Sequence, residues 1–74
     1  MSKLDKGSME YKVYVAICNY IQEHTISPSI RELAKMLDIK STSTVHNYLK
    51  VLISKGYICM QSSIPRSIVV LIKE

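Results

Sequence analysis

Residues 27–37, Ser27-Pro28-Ser29-Ile30-Arg31-Glu32-Leu33-Ala34-Lys35-Met36-Leu37, and residues 41–52, Ser41-Thr42-Ser43-Thr44-Val45-His46-Asn47-Tyr48-Leu49-Lys50-Val51-Leu52, hold two helix starts close together in the chain. In the first, Ser29 and Glu32 have capping-box spacing: the serine hydroxyl can accept from the Glu32 amide while the Glu32 carboxylate reaches back to the Ser29 amide. Ile30, Leu33, Ala34 and Leu37 then follow the i, i+3, i+4, i+7 pattern, which predicts a short helix with one narrow apolar stripe, ending near Asp38. Asp38-Ile39-Lys40-Ser41 separates it from a longer helix. Ser41, Thr42 or Ser43 can cap that helix, Thr42 or Ser43 being preferred, and it is expected to run to Lys55 and close at Gly56. At about 100° per residue, Val45, Tyr48, Leu49 and Leu52 fall together, and Ser43, Asn47, Lys50 and Ser54 fall on the opposite side.

Upstream, Val13, Tyr14, Ile17, Tyr20 and Ile21 recur at helical spacing, with Lys12, Asn19 and Glu23 on the other side, so a helix is expected from Met9 to about His24, capped by Ser8. Pro28 ends it, because the residue before a proline is driven out of the helical region. Downstream, Tyr57–Gln61 and Ser67–Ile72 are rich in β-branched and apolar residues, and Ser62-Ser63-Ile64-Pro65-Arg66 has turn chemistry, which predicts a hairpin. The fold class is therefore mainly α with a small β-hairpin, a three-helix winged helix-turn-helix. Residues 1–8 read as a flexible lead-in and residues 9–74 as one domain.

The whole chain has 74 residues, 47% hydrophobic and 22% charged, room for one core only. A chain this short buries about 60% of its unfolded surface, which disfavours an enzyme pocket with its supporting residues, so no enzyme and no small-molecule substrate are expected. Ten Lys and Arg against six Asp and Glu give a net charge of +4, pointing to an acidic partner. No apolar run approaches the roughly 20 residues of a membrane span, and MSKLDKG lacks the apolar centre of a signal peptide, so the expected setting is the cytoplasm, without a membrane partner. Cys18 and Cys59 form no CxxC pair and are expected as reduced, packed thiols. Together with His24 and His46 they provide no close ligand pair, and neither a metal nor a cofactor is expected.

The outward face of the third helix decides between a plain surface helix and a binding one. From residue 43 to 54 there is no Asp or Glu, whereas a solvated face ordinarily mixes signs. Ser, Thr, Asn, His and Lys are the donors and acceptors that read base edges and phosphates. Double-stranded DNA is the expected partner.

Ser27-Pro28-Ser29-Ile30-Arg31-Glu32, Ser41-Thr42-Ser43-Thr44-Val45-His46, Lys55-Gly56-Tyr57-Ile58 and Pro65-Arg66-Ser67-Ile68 resemble the N-terminal DNA-binding domain of LexA repressors, especially the Gram-positive type, and the likeness extends over about residues 9–72. The resemblance implies a sequence-specific repressor domain of the SOS response, with the third helix in the major groove and the wing along the backbone. Carried over by position, it implies base contacts from Ser41, Ser43, Thr44, His46 and Asn47. The helical wheel agrees for Ser43 and Asn47, puts His46 and Thr44 on the flanks, and sets Lys50 one turn back, where a phosphate is the expected target. Asp38 stands where the family usually has Gly in the inter-helix turn, and Asn47 where close relatives often have Gly. Full-length members continue into a self-cleaving protease domain, for which this chain has no room.

Ser29 and Arg31, at the positive start of the second helix, and Lys50 and Arg66, beside the groove face and on the wing, are the expected backbone contacts. Lys73 also flanks the wing. His24 suits a helix C-terminus. Tyr14, Tyr20 and Tyr48 fall on apolar stripes and are expected in the core. The last strand alternates Ile68, Val70, Ile72 with Val69, Leu71, so one set must point away from the core. That leaves two further expectations: a homodimer on an inverted-repeat site, joined by this strand, and, as an alternative function, a winged helix serving as a protein-interaction module through the same strand.

Overall fold

The computed structural model describes residues 7–61, 64 and 66–71. Helix α1 spans Met9–His24, α2 Ile30–Met36 and α3 Thr42–Ser54; strands β1, Ile58–Cys59, and β2, Val69–Val70, pair antiparallel with Ile58 opposite Val70 and Cys59 opposite Val69. The three-helix plus hairpin class is the one the sequence predicts. Of the expected lead-in, residues 1–6 lie outside the described residues, whereas Ser8 is the N-cap of α1, accepting from the Tyr11 amide at 3.2 Å.

One apolar core lies among all five elements. Val13, Tyr14 and Ile17 of α1, Leu33 and Ala34 of α2, and Val45, Leu49 and Leu52 of α3 are buried with Tyr57, Ile58 and Ile68 of the hairpin. These are the periodic positions, because each helix must bury its one apolar stripe against the others. Tyr14 and Tyr57 meet edge to face, ring centroids 5.4 Å apart. Tyr20 and Tyr48 are only half-buried, and of the two Tyr48 packs against the core.

The links between helices are set by backbone conformation. The α1 C-cap, Thr25, is left-handed at φ 64°, and its amide donates to the Ile21 carbonyl at 2.8 Å. Asp38 is left-handed at φ 55°, the conformation that makes Gly usual in such a turn, and Asp tolerates it better than most residues. Gly56 follows α3 at φ 79°, where a side chain would be strained.

Two boundaries differ from the sequence expectation. Ser41, not Thr42 or Ser43, is the N-cap of α3; its backbone is extended (φ −117°, ψ 126°) and its hydroxyl makes no capping bond. The strands are also shorter than Tyr57–Gln61 and Ser67–Ile72. Two residues further along the same register, Gln61 lies opposite Ser67, and there the Ser67 hydroxyl replaces the backbone, accepting from the Gln61 amide and donating to the Gln61 carbonyl at 3.0 Å each. A side chain wedged into the ladder ends the regular sheet. Residues 62, 63, 65 and 72–74, including Ile72, Lys73 and most of the expected turn, lie outside the described residues.

Candidate nucleic-acid interface

Helix α3 packs against α1, α2 and β1 along Val45, Leu49 and Leu52, and this anchoring fixes which side it turns outward. Ser41, Ser43, His46, Asn47 and Lys50 are all exposed, and Thr44 is half-buried at the edge of the packed stripe. Five of the six α3-side candidates thus share one open surface. With no carboxylate on it and no hydroxyl closing its N-terminal amides, α3 presents donors and a positive helix end together.

The start of α2 is built differently. Both halves of the capping box are present: Ser29 Oγ accepts from the Glu32 amide at 3.2 Å, and the Ser29 amide donates to Glu32 Oε1 at 2.8 Å. Ser29 Oγ–H remains a donor. Arg31 points to solvent beside a cleft between α2 and the start of α3, which Lys35, Asp38, Ile39 and Thr42 also line. Arg31, Lys35, Lys40 and Lys50 are exposed cations around α3, with Asp38 the exposed acid among them.

Arg66 takes a place the sequence does not reveal. Its backbone is left-handed at φ 58°, and its guanidinium meets the Glu32 carboxylate on two prongs, Nη1 to Oε1 and Nη2 to Oε2, both at 2.8 Å. Nη1 also donates to the Tyr20 hydroxyl and the Ser27 carbonyl at 3.2 Å each, while the Tyr20 hydroxyl donates to Glu32 Oε2 at 3.2 Å. One carboxylate therefore serves the α2 cap, the wing and α1 at once. The Arg66 guanidinium, then the Ser29 amide and the Tyr20 hydroxyl, pull the Glu32 pKa down to about 2, and the same carboxylate raises that of Arg66. The expected phosphate contact of Arg66 must be weighed against this internal partner, which occupies both edges of its fork. Glu32 was readable as a cap, but a partner 34 residues away leaves no local signal.

His24 ends α1 with its ring 4.3 Å from that of Tyr20, a member of this cluster. Cys18 is half-buried and Cys59 exposed, both free, so Cys59 is not the packed thiol expected. Among the described residues, no three His, Cys, Asp or Glu side chains gather where a metal could sit, and no helix is long and apolar enough to cross a membrane.

Comparison with known proteins agrees with this geometry. The family model of the LexA DNA-binding domain matches residues 2–67. The LexA repressor of Ruminiclostridium cellulolyticum is 43% identical over 60 residues, 81% of this chain and 27% of that protein. Those of Clostridium tetani, 41% identical over 59 residues (80% and 30%), and Shouchella clausii, 38% identical over 71 residues (96% and 33%), are similar. The chain spans about a quarter to a third of the length of these relatives. The matched stretch takes in all three helices and β1, and the chain belongs to the LexA DNA-binding domain family.

Proposed function

We propose that this chain is a sequence-specific, double-stranded DNA-binding repressor domain that lays α3 in the major groove. The observation that carries the reading is the exposed, carboxylate-free face of α3, with Ser43, His46, Asn47 and Lys50 outward on a helix held from behind by Val45, Leu49 and Leu52. A major groove about 12 Å wide admits one helix, and these side chains carry the donors and acceptors its base edges require. In this reading Ser41, Ser43, Thr44, His46 and Asn47 face bases. Ser29 Oγ–H, Arg31 and Lys50 bind phosphates on either side.

Arg66 serves DNA binding from the wing. With its fork on Glu32, it fixes the wing root to the start of α2, so that the strand ends and α3 meet the duplex as one rigid surface. This reading includes two chains on an inverted repeat, since a two-fold pair presents two recognition helices one helical turn apart. The LexA relatives are named as repressors, and the repressor role is carried to this chain on that similarity.

Selection from a random duplex pool, followed by titration of the chain on the enriched and a random duplex at several salt concentrations, tests the proposal. The expected result is enrichment of a defined half-site and a steep linear fall of log K with log salt. No enrichment and no salt dependence would reject it and favour a protein-interaction module.

A further inference from the structure

Asn47 stands midway along the outward face of α3, with Ser43 one turn before it and Lys50 three residues after it, all three exposed. Val45, Leu49 and Leu52, buried on the opposite side, fix the rotation of the helix, so the direction in which Asn47 leaves it is fixed as well. Among the described residues its carboxamide has no hydrogen-bond partner, and it caps neither end of α3, whose N-cap is Ser41 and whose C-cap is Lys55. Asparagine is a poor helix former, because its short polar side chain competes with the backbone for hydrogen bonds. Its local effect on α3 is therefore unfavourable, and what offsets that lies outside the chain.

The other side chains of this face narrow the choice. Sharp discrimination in the major groove comes from Arg or Lys on the two acceptors of guanine, Asn or Gln on the acceptor and donor of adenine, and Asp or Glu on the amino group of cytosine. From Thr42 to Ser54 there is no Arg, no Gln and no carboxylate, and Asn47 is the one carboxamide. The hydroxyls of Ser43 and Thr44 both donate and accept, so they suit any base, and a His46 ring nitrogen makes a single bond. Lys50, the one cation of the helix, is a flexible point charge without a fixed pair of donors. We infer that Asn47 is the side chain of α3 that fixes one base of the half-site, and that this base is adenine: Nδ2–H donates to adenine N7 while Oδ1 accepts from the N6 amino group. Ser43 and Asn47 are four residues apart, about 6 Å along the helix axis, so they meet different base pairs. The inference rests on the proposed reading of α3 in the major groove and names the base selected there.

Competition binding on the selected duplex tests it, with each A·T pair of the half-site replaced in turn. At one such pair, replacement is expected to weaken the unmodified chain by roughly 5- to 150-fold, the range of one good paired contact. Placing 7-deazaadenine there, which removes the N7 acceptor and keeps the base pair, should weaken it as well. Asn47→Ala should be indifferent to both changes at that pair and keep its preferences elsewhere, and Asn47→Asp should favour cytosine there, since a carboxylate only accepts. The inference is overturned if Asn47→Ala keeps every base preference, loses one at a pair other than A·T, or weakens all duplexes alike. It is also overturned if 7-deazaadenine at each adenine of the half-site leaves binding unchanged, a measurement that needs no variant to fold. Failure to enrich any half-site rejects the major-groove reading together with the inference, whereas an enriched half-site whose preferences do not depend on Asn47 rejects the inference alone.

Discussion

Arg66 of the wing and Glu32 of α2, 34 residues apart in sequence, grip each other on two prongs at 2.8 Å, within a cluster that also takes in Tyr20 and Ser27. A two-pronged pair fixes direction as well as distance, so the wing root cannot rotate without breaking it. The pair is partly exposed, with side-chain accessibilities of 41% and 35%, and its value lies in geometry more than in net stability.

Acid should loosen this cluster in a defined window. The Glu32 pKa falls from 4.5 to about 2 on folding, so its contribution is present above pH 4.5 and disappears as pH drops through 2. Thermal unfolding followed from pH 6 down through that window to pH 2 should show a steeper loss of stability in the wild type than in Glu32→Gln. Parallel curves for the two would mean that Glu32 is not held ionised.

Lys50 and Arg66 should separate by salt dependence. Lys50→Ala should lower the salt slope of DNA binding by roughly one, as expected for a lost phosphate contact. Arg66→Ala should weaken binding through a displaced wing and leave the slope close to wild type, because Glu32 already neutralises the guanidinium. A slope reduced by one in Arg66→Ala would instead place that side chain on a phosphate.

His46→Ala and Asn47→Ala are expected to lose about 1 to 3 kcal/mol on the selected site and little on random duplex. Competition binding measures the difference directly. Equal weakening on both duplexes would remove the two residues from base readout.

Asp38→Gly should raise the melting temperature. At φ 55° a side chain carries a left-handed penalty on the order of 1 kcal/mol that glycine avoids, partly offset by the greater freedom of glycine in the unfolded chain. Asp38→Val, with a branched side chain at the same φ, should lower it. Calorimetry on the pair checks both signs.

Ser27 is 7% exposed, and its hydroxyl has no hydrogen-bond partner among the described residues. A buried donor left unmade is unfavourable, so Ser27→Ala should be neutral or stabilising in denaturant unfolding, against the usual direction for a buried substitution. A clear loss of stability would show that the hydroxyl is bonded in solution.

Sequence alone determined what depends on near neighbours. The capping box at Ser29 and Glu32, the stop before Pro28, the turn at Asp38 and the buried stripe Val45, Leu49, Leu52 all follow from spacings of a few residues, and each is present in the fold. The outward face of α3 was legible for the same reason: once one stripe is committed to the core, helical geometry fixes the other. Tertiary structure decided what depends on groups far apart in the chain. The sequence left open which set of strand residues faces out, and packing of Ile68 against the helices settles it as Val69 and Leu71. Arg66 read as a contact to the DNA backbone, and only the folding of the wing beside α2 brings Glu32, Tyr20 and Ser27 within reach of its guanidinium. Local periodicity records how a segment meets a core, but it holds no information on which distant side chain will stand 2.8 Å away when the core closes.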